Sequence, residues 1–240
     1  MGETGQTRRV RAGQVDLACQ VSGDEQAPPM VLLHALGERG ADWAAVAGRF
    51  ARRYRVYAPD LRGHGDSDWP GAYSFALLRD DVCAFLDALG LARVTLVGHS
   101  MGGAVAFGVT LERPDLVARL VAEDVVPPYP RDRPPPERPD GPLDFDWAVV
   151  PAIVTQVNAG DSAAWTALPG IVAPTLIVGG GEASHIDQAR LAQAARLIPR
   201  CDLVTIPAGH LVHASEPERF ARTVLDWLAK QGPDTPDRPG

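Results

Sequence analysis

Gly98-His99-Ser100-Met101-Gly102 stands where a buried apolar run ends and a helical pattern begins, and this junction restricts the fold more than anything else in the chain. Val94-Thr95-Leu96-Val97 reads as a strand, and Ser100 to about Leu111 as a helix. A sharp strand-to-helix turn lifts the hydroxyl of its central Ser clear of the sheet. Gly two positions to either side stops side chains from colliding in that turn, and Gly103 extends the small-residue face. The helix that follows presents free N–H groups and the positive end of its dipole, both of which favour negative charge developing beside the Ser. The string G-x-S-x-G recurs by chance; strand before and helix after give it its weight. From Val94 to Leu111 no charged residue occurs for 18 positions. Gly98, His99, Ser100, Gly102 and Gly103 nevertheless fill its middle, where a membrane-spanning helix is most apolar, so the stretch is not a span.

Around this junction, strand-like runs alternate with helical patterns, which is how a mostly parallel sheet with crossover helices reads. Residues 7–11 and 14–21 are expected as opening strands joined at Ala12-Gly13, followed by strands at Met30–Leu33 and Arg55–Ala58. Trp43 to Ala51 reads as a short amphipathic helix. Ser74 to Leu89 repeats Leu78, Val82, Phe85, Leu86 and Leu89 at helical period, with Gly90 as its stop. Further strands are expected at Leu116–Glu123, Pro174–Val178 and Leu203–Ile206, with a helix over Asp187–Ile198. The closing helix carries a Ser215-x-x-Glu218 capping box and buries Phe220, Val224, Trp227 and Leu228. The expected architecture is thus an α/β fold with an eight-stranded, mostly parallel sheet and helices on both faces. Eight prolines between Val126 and Leu143 break the alternation, so residues 125–168 read as a short Pro-rich cap inserted between core segments 1–124 and 169–230. Residues 231–240 are polar with three prolines and read as a frayed tail.

The formal charge of -7 argues against nucleic acid or an anionic membrane as the main partner. Only Lys230 among the 23 basic residues is Lys, and no Arg-rich block accompanies that bias. Cys19, Cys83 and Cys201 are widely separated and lack metal-ligand spacing, so neither a disulfide framework nor a zinc site is expected. Met1 to Arg11 has no apolar core of a signal peptide, and the expectation is a soluble, cytoplasmic protein. Gly179-Gly180-Gly181 is not a dinucleotide fingerprint, no phosphate-binding P-loop occurs, and no cofactor is implied.

Five pieces in order resemble the α/β-hydrolase superfamily over nearly the whole chain outside the cap. They are the His34-Ala35-Leu36-Gly37 loop with Trp43 behind it, Asp60-Leu61-Arg62-Gly63-His64-Gly65-x-Ser67, the turn at Ser100, Pro174-Thr175-Leu176, and Gly209-His210. The resemblance implies Ser100 as nucleophile and His210, after the last strand, as its base. It also implies an oxyanion hole from the backbone N–H groups of Met101 and Leu36. Where the family commonly has His-Gly, this chain has His34-Ala35. A Ser hydroxyl is a weak nucleophile until a base takes its proton, and His suits that at neutral pH. His213 reads as a supporting or packing residue rather than half of a metal pair; His34, His64 and His99 read as structural.

The acid is where this chain departs from the family. The usual position, after strand Thr175–Val178, holds Ala183 in Gly180-Gly181-Glu182-Ala183. Some branches place the acid one strand earlier, and there this chain has Glu123-Asp124. Asp124 is the favoured acid, Glu182 the alternative, and both keep the order Ser, acid, His. Ser at position 100 speaks against the branches that use Asp there. The implied reaction is acyl transfer: hydrolysis of small or medium carboxylic esters through an acyl-enzyme. A lactonase, thioesterase, carbon–carbon hydrolase or perhydrolase shares the same machinery, and a non-catalytic ligand-binding protein on this scaffold also stays open. Tyr129, Phe145, Trp147 and Trp165 read as packing of the cap rather than as an acyl pocket.

Overall fold

A computed structural model describes residues 6–134 and 136–232. Eight strands form one sheet: β1 (Gln6–Ala12), β2 (Val15–Ser22), β3 (Pro29–Leu33), β4 (Arg55–Pro59), β5 (Val94–His99), β6 (Val117–Glu123), β7 (Thr175–Gly179) and β8 (Cys201–Thr205). Their spatial order is β1-β2-β4-β3-β5-β6-β7-β8. β1 and β2 pair antiparallel, as do β2 and β4, and every later pairing is parallel. The expected eight-stranded, mostly parallel sheet is therefore what the chain forms.

The central strands read as unbroken apolar runs because both faces are covered. Successive side chains point to opposite faces, so Met30 and Leu32 enter one core while Val31 and Leu33 enter the other. The first core packs the sheet against helices α1 (Ala44–Phe50) and α8 (Pro217–Lys230), through Phe50, Phe220, Val224 and Trp227. The second packs it against α2 (Phe75–Ala88), α3 (Met101–Glu112) and α6 (Gln188–Leu197). Ser74 caps α2 by accepting from the Leu77 N–H at 3.1 Å, so the helix starts where its periodicity indicates.

Two local expectations are corrected. Trp43 does not begin α1; it ends a separate 3-10 turn, Gly40–Trp43, whose Asp42 carboxylate accepts from the Arg39 N–H at 2.8 Å. The Ser215-x-x-Glu218 capping box does not form either. Ser215 ends a four-residue helix, α7 (Val212–Ser215), and Pro217 opens α8. The residue before a proline is pushed out of helical geometry, and Glu216 sits at φ −130°, ψ 57°, so the chain breaks there. Glu218 instead pairs with Arg49 at 2.6 Å.

Between β6 and β7 the chain leaves the sheet. After an extended stretch it forms α4 (Val149–Ala159) and α5 (Ser162–Ala167). A bridge between His64 and Phe145, with the Asp146 N–H on the Gly63 carbonyl at 2.8 Å, fastens this segment to the loop after β4. Of the expected tail, residues 233–240 lie outside the described residues. No described helix is long and apolar enough to cross a membrane.

Candidate active site

Parallel strands send all their following loops to one edge of the sheet, and the candidate residues gather there. Ser100 follows β5 with φ 51° and ψ −114°, a left-handed conformation that non-Gly residues rarely adopt. The small residues around it are required by contact. A Cβ on Gly98 would stand 2.5 Å from the Gly102 carbonyl oxygen, and one on Gly102 would stand 2.3 Å from that of Leu33. The turn thus packs backbone to backbone against the end of β3, which brings the 34–37 loop beside the start of α3.

His210 and Asp124 meet, although 86 residues separate them. His210 Nδ1–H donates to Asp124 Oδ2 at 2.7 Å, with the Asp124 side chain fully buried and that of His210 19% exposed. Asp124 follows β6 at φ 44°, a second strained non-Gly residue. Burial alone would raise its pKa, but hydrogen bonds from His210, Ser184 and the Gly180 N–H outweigh it and hold the carboxyl below its ordinary range. The Gly180 N–H reaches Oδ1 at 2.7 Å, Gln188 Nε2–H reaches it at 3.3 Å, and the Ser184 hydroxyl donates to Oδ2. The loop after β7, which lacks the acid at Ala183, supplies the donors that hold an acid from β6. The Gly180 carbonyl also accepts from the N–H groups of Ala208 and Gly209, drawing the His210 loop toward the same place. Glu182 is exposed, and the hydrogen bond of His210 goes to Asp124. Among the described residues no hydrogen bond joins the Ser100 hydroxyl to His210, a contact that commonly forms only with substrate bound.

Leu36 and Met101 both line the cavity over Ser100. The Leu36 loop is pinned by two neutral imidazoles. The Leu61 N–H donates to His34 Nε2 at 2.8 Å, and the Gly37 N–H donates to His64 Nε2 at 3.2 Å. Their Nδ1–H groups donate to the carbonyls of Ala35 and Arg62. Burial is the main reason both stay neutral, with pKa values lowered to about 3 for His34 and about 4 for His64. Ala35 needs no special conformation, since the left-handed residue of this loop is Gly37 at φ 81°.

This arrangement has a pH consequence. A His that is neutral when folded and titrates near 6.5 when unfolded contributes fully above 6.5 and loses that contribution as pH falls toward its folded pKa. Stability should therefore fall steadily from about pH 6.5 to about pH 4. His99, raised by Glu123 and Glu38 against the effect of its own burial, has the opposite sign: its contribution is full at low pH and lost as pH rises through its folded pKa. Urea midpoints between pH 7 and pH 4 would show the loss, and His64→Gln should flatten the slope; a level profile in the wild type would contradict the neutral assignment.

Beneath His210 lies a polar network that spacing could not reveal. His213 donates its backbone N–H and its Nδ1–H to Glu123 at 2.8 Å and 2.9 Å, and its ring stacks on Trp43 with centroids 4.2 Å apart. His99 donates Nε2–H to the His210 carbonyl at 2.9 Å, fixing the backbone that carries His210, and Nδ1–H to Glu38 at 3.4 Å. The hydrogen bond and charge of His99, with the Ala35 N–H, overcome the effect of burial and hold Glu38 at about 2. Glu38, His99 and His213 bring one ligand-type atom each within 4.8 Å of one another. Both nitrogens of His99 are already engaged, so the cluster reads as a support for the His210 loop rather than a cation site.

The cavity over Ser100 holds about 170 Å³ and is walled on one side by the segment after β6. His185, which the sequence reading passed over, lines it with its ring 4.1 Å from that of His210. Arg131 and Arg133 line it as well. The four aromatics of the segment face elsewhere: Phe145 stacks on His64, and Trp165 donates to the Pro128 carbonyl at 3.1 Å.

A profile of the family described as alpha/beta hydrolase fold matches residues 28–148, half of the 240-residue chain. This chain is an α/β-hydrolase. Mouse sn-1-specific diacylglycerol lipase ABHD11 is 27% identical to the hydrolase over 256 residues, covering 87% of this chain and 83% of that protein. An uncharacterized protein of Mycobacterium tuberculosis is 43% identical over 95 residues; the match takes in 39% of this chain but only 28% of that relative's length. The crystal structure of E-2-(acetamidomethylene)succinate hydrolase superposes with a TM-score of 0.81 at 23% identity, covering 94% of this hydrolase and all of that chain, a likeness of fold.

Proposed function

We propose that this hydrolase cleaves carboxylic esters of small or medium size by a Ser-His-Asp mechanism. The observation that carries the reading is the 2.7 Å hydrogen bond from His210 to a buried, donor-held Asp124, at the sheet edge where Ser100 is presented on a strained turn. With Nδ1–H committed to Asp124, His210 keeps Nε2 unprotonated and able to accept the Ser100 proton. The Ser oxygen bonds to the ester carbonyl carbon, and the carbonyl electrons move onto oxygen. The N–H groups of Leu36 and Met101 receive that oxyanion; losing one such donor costs about 10²- to 10³-fold in rate. As the tetrahedral species collapses, His210 returns the proton to the departing alkoxide, leaving an acyl-enzyme. Water, deprotonated by His210, then releases the acid by the same route.

Relatives named as lipases favour the ester reading over the other acyl substrates this machinery serves. The test is covalent. A fluorophosphonate should add one equivalent to the protein, map to the peptide bearing Ser100, and abolish nitrophenyl-ester turnover in step with labelling. Labelling elsewhere, or esterase activity in fully labelled protein, would defeat the proposal.

A further inference from the structure

Two arginines line the Ser100 cavity, and no described carboxylate pairs with either. The cavity lining contains Arg131 and Arg133 but neither Asp nor Glu. Nε of Arg131 is sealed from solvent with no hydrogen-bond partner, an expensive state for a donor on a cation. Its guanidinium lies 4.0 Å over the Tyr129 ring, and Arg190 lies at the same distance from that ring. Burial, together with the nearby charges of Arg133 and Arg190, lowers the Arg131 pKa against the opposing effects of Tyr129 and Asp187. Asp187, the carboxylate that Arg131 feels, stands 3.8 Å from Arg190. Arg133 makes one long hydrogen bond, 3.4 Å, to the His185 carbonyl.

The chain is clasped so that both arginines stay at the cavity. The Asn158 carbonyl accepts from the Arg131 N–H at 3.0 Å, and the Asn158 side chain donates to the Arg133 carbonyl at 2.8 Å. A chain of net charge −7 that holds unpaired arginines beside its candidate nucleophile leaves the counter-charge to something bound.

We infer that Arg131 and Arg133 form a carboxylate subsite, and that the substrates are short esters bearing a second, ionised carboxyl group distal to the bond cleaved. The inference rests on the ester-hydrolase reading above and names the substrate class of that site. The remaining walls are mostly apolar, with Phe75, Val126 and Ile153 among them, and suit the short methylene spacer of such a half-ester.

The test compares nitrophenyl hemiglutarate, which carries the distal carboxylate, with neutral nitrophenyl pentanoate. The wild type should prefer the anionic ester by at least about 10-fold in kcat/KM, through KM chiefly. Arg131→Met with Arg133→Met should lower kcat/KM for hemiglutarate by about 30-fold or more while changing pentanoate less than about 3-fold. Retained pentanoate turnover shows that the variant is folded. Equal losses on both esters, or a wild type indifferent to the carboxylate, would overturn the subsite while leaving the esterase standing. If fluorophosphonate fails to label Ser100 and neither ester turns over, the ester-hydrolase reading is what fails. Glutarate binding by calorimetry then decides the subsite alone: binding to the wild type that is lost in the double variant supports it, and no binding overturns it.

Discussion

Ser100→Ala and His210→Ala should each remove essentially all ester turnover, about 10⁵- to 10⁶-fold in kcat, and the double variant should be no worse than either single one. A nucleophile and its base act as a unit, so removing either removes both contributions, and what survives comes from the oxyanion donors and binding. Losses that multiplied in the double variant would mean that the two residues act independently. His213 is the control, because it lies three residues from His210 and beneath it. His213→Gln should keep kcat within about 10-fold, since its partner is Glu123 and not a reacting group. His213→Ala is a poorer control: it leaves a fully buried Glu123 without its partner, and breaking a buried pair from one side costs about 3–5 kcal/mol. Steady-state rates beside a melting curve for each variant separate the two effects. A His213→Gln variant as inactive as His210→Ala would reverse the assignment.

Asp124→Asn should lower kcat by about 10⁴-fold with little change in KM, because an amide facing Nδ1 favours the tautomer that places the imidazole proton on the wrong nitrogen. Folding should survive, since Asn retains one oxygen that can accept from the Gly180 N–H, the donor seen at 2.7 Å. Glu182→Gln should leave the rate within about twofold, as befits an exposed side chain away from any hydrogen bond of His210. A dead Glu182→Gln with an active Asp124→Asn would defeat the choice of acid.

What could be read along the chain was whatever has a local cause. The alternation of strand-like and helical periods marks a doubly covered parallel sheet, and Met30 to Leu33 is apolar throughout because both its faces are buried. Gly98 and Gly102 declare the turn at Ser100, since no other residue tolerates contacts of 2.5 Å and below at their Cβ positions. Helix boundaries are less legible where two local signals compete. Ser215 and Glu218 have the spacing of a cap, but Pro217 between them dictates where the helix starts.

Pairings across the fold were beyond such reading. Asp124 and Glu182 both satisfy the order Ser, acid, His, and only the parallel placement of β6 beside β7 brings Asp124 under His210 with Gly180 and Ser184 as donors. Glu123, adjacent to Asp124, turns to the opposite side and takes His213, because successive residues at a strand end point opposite ways. Arg131 and Arg133 lie in a proline-rich stretch whose composition says only that it is extended; Asn158, on a helix beyond it, sets them at the cavity. Local patterning thus determined the sheet and the turn at Ser100, since each follows from steric rules acting over a few residues, while the resemblance to the family is what singled out His210. The hydrogen bond from His210 to Asp124, the network beneath His210 and the placing of Arg131 and Arg133 at the cavity were decided by tertiary structure, because hydrogen bonds and ion pairs depend on distances in space that separation along the chain does not set.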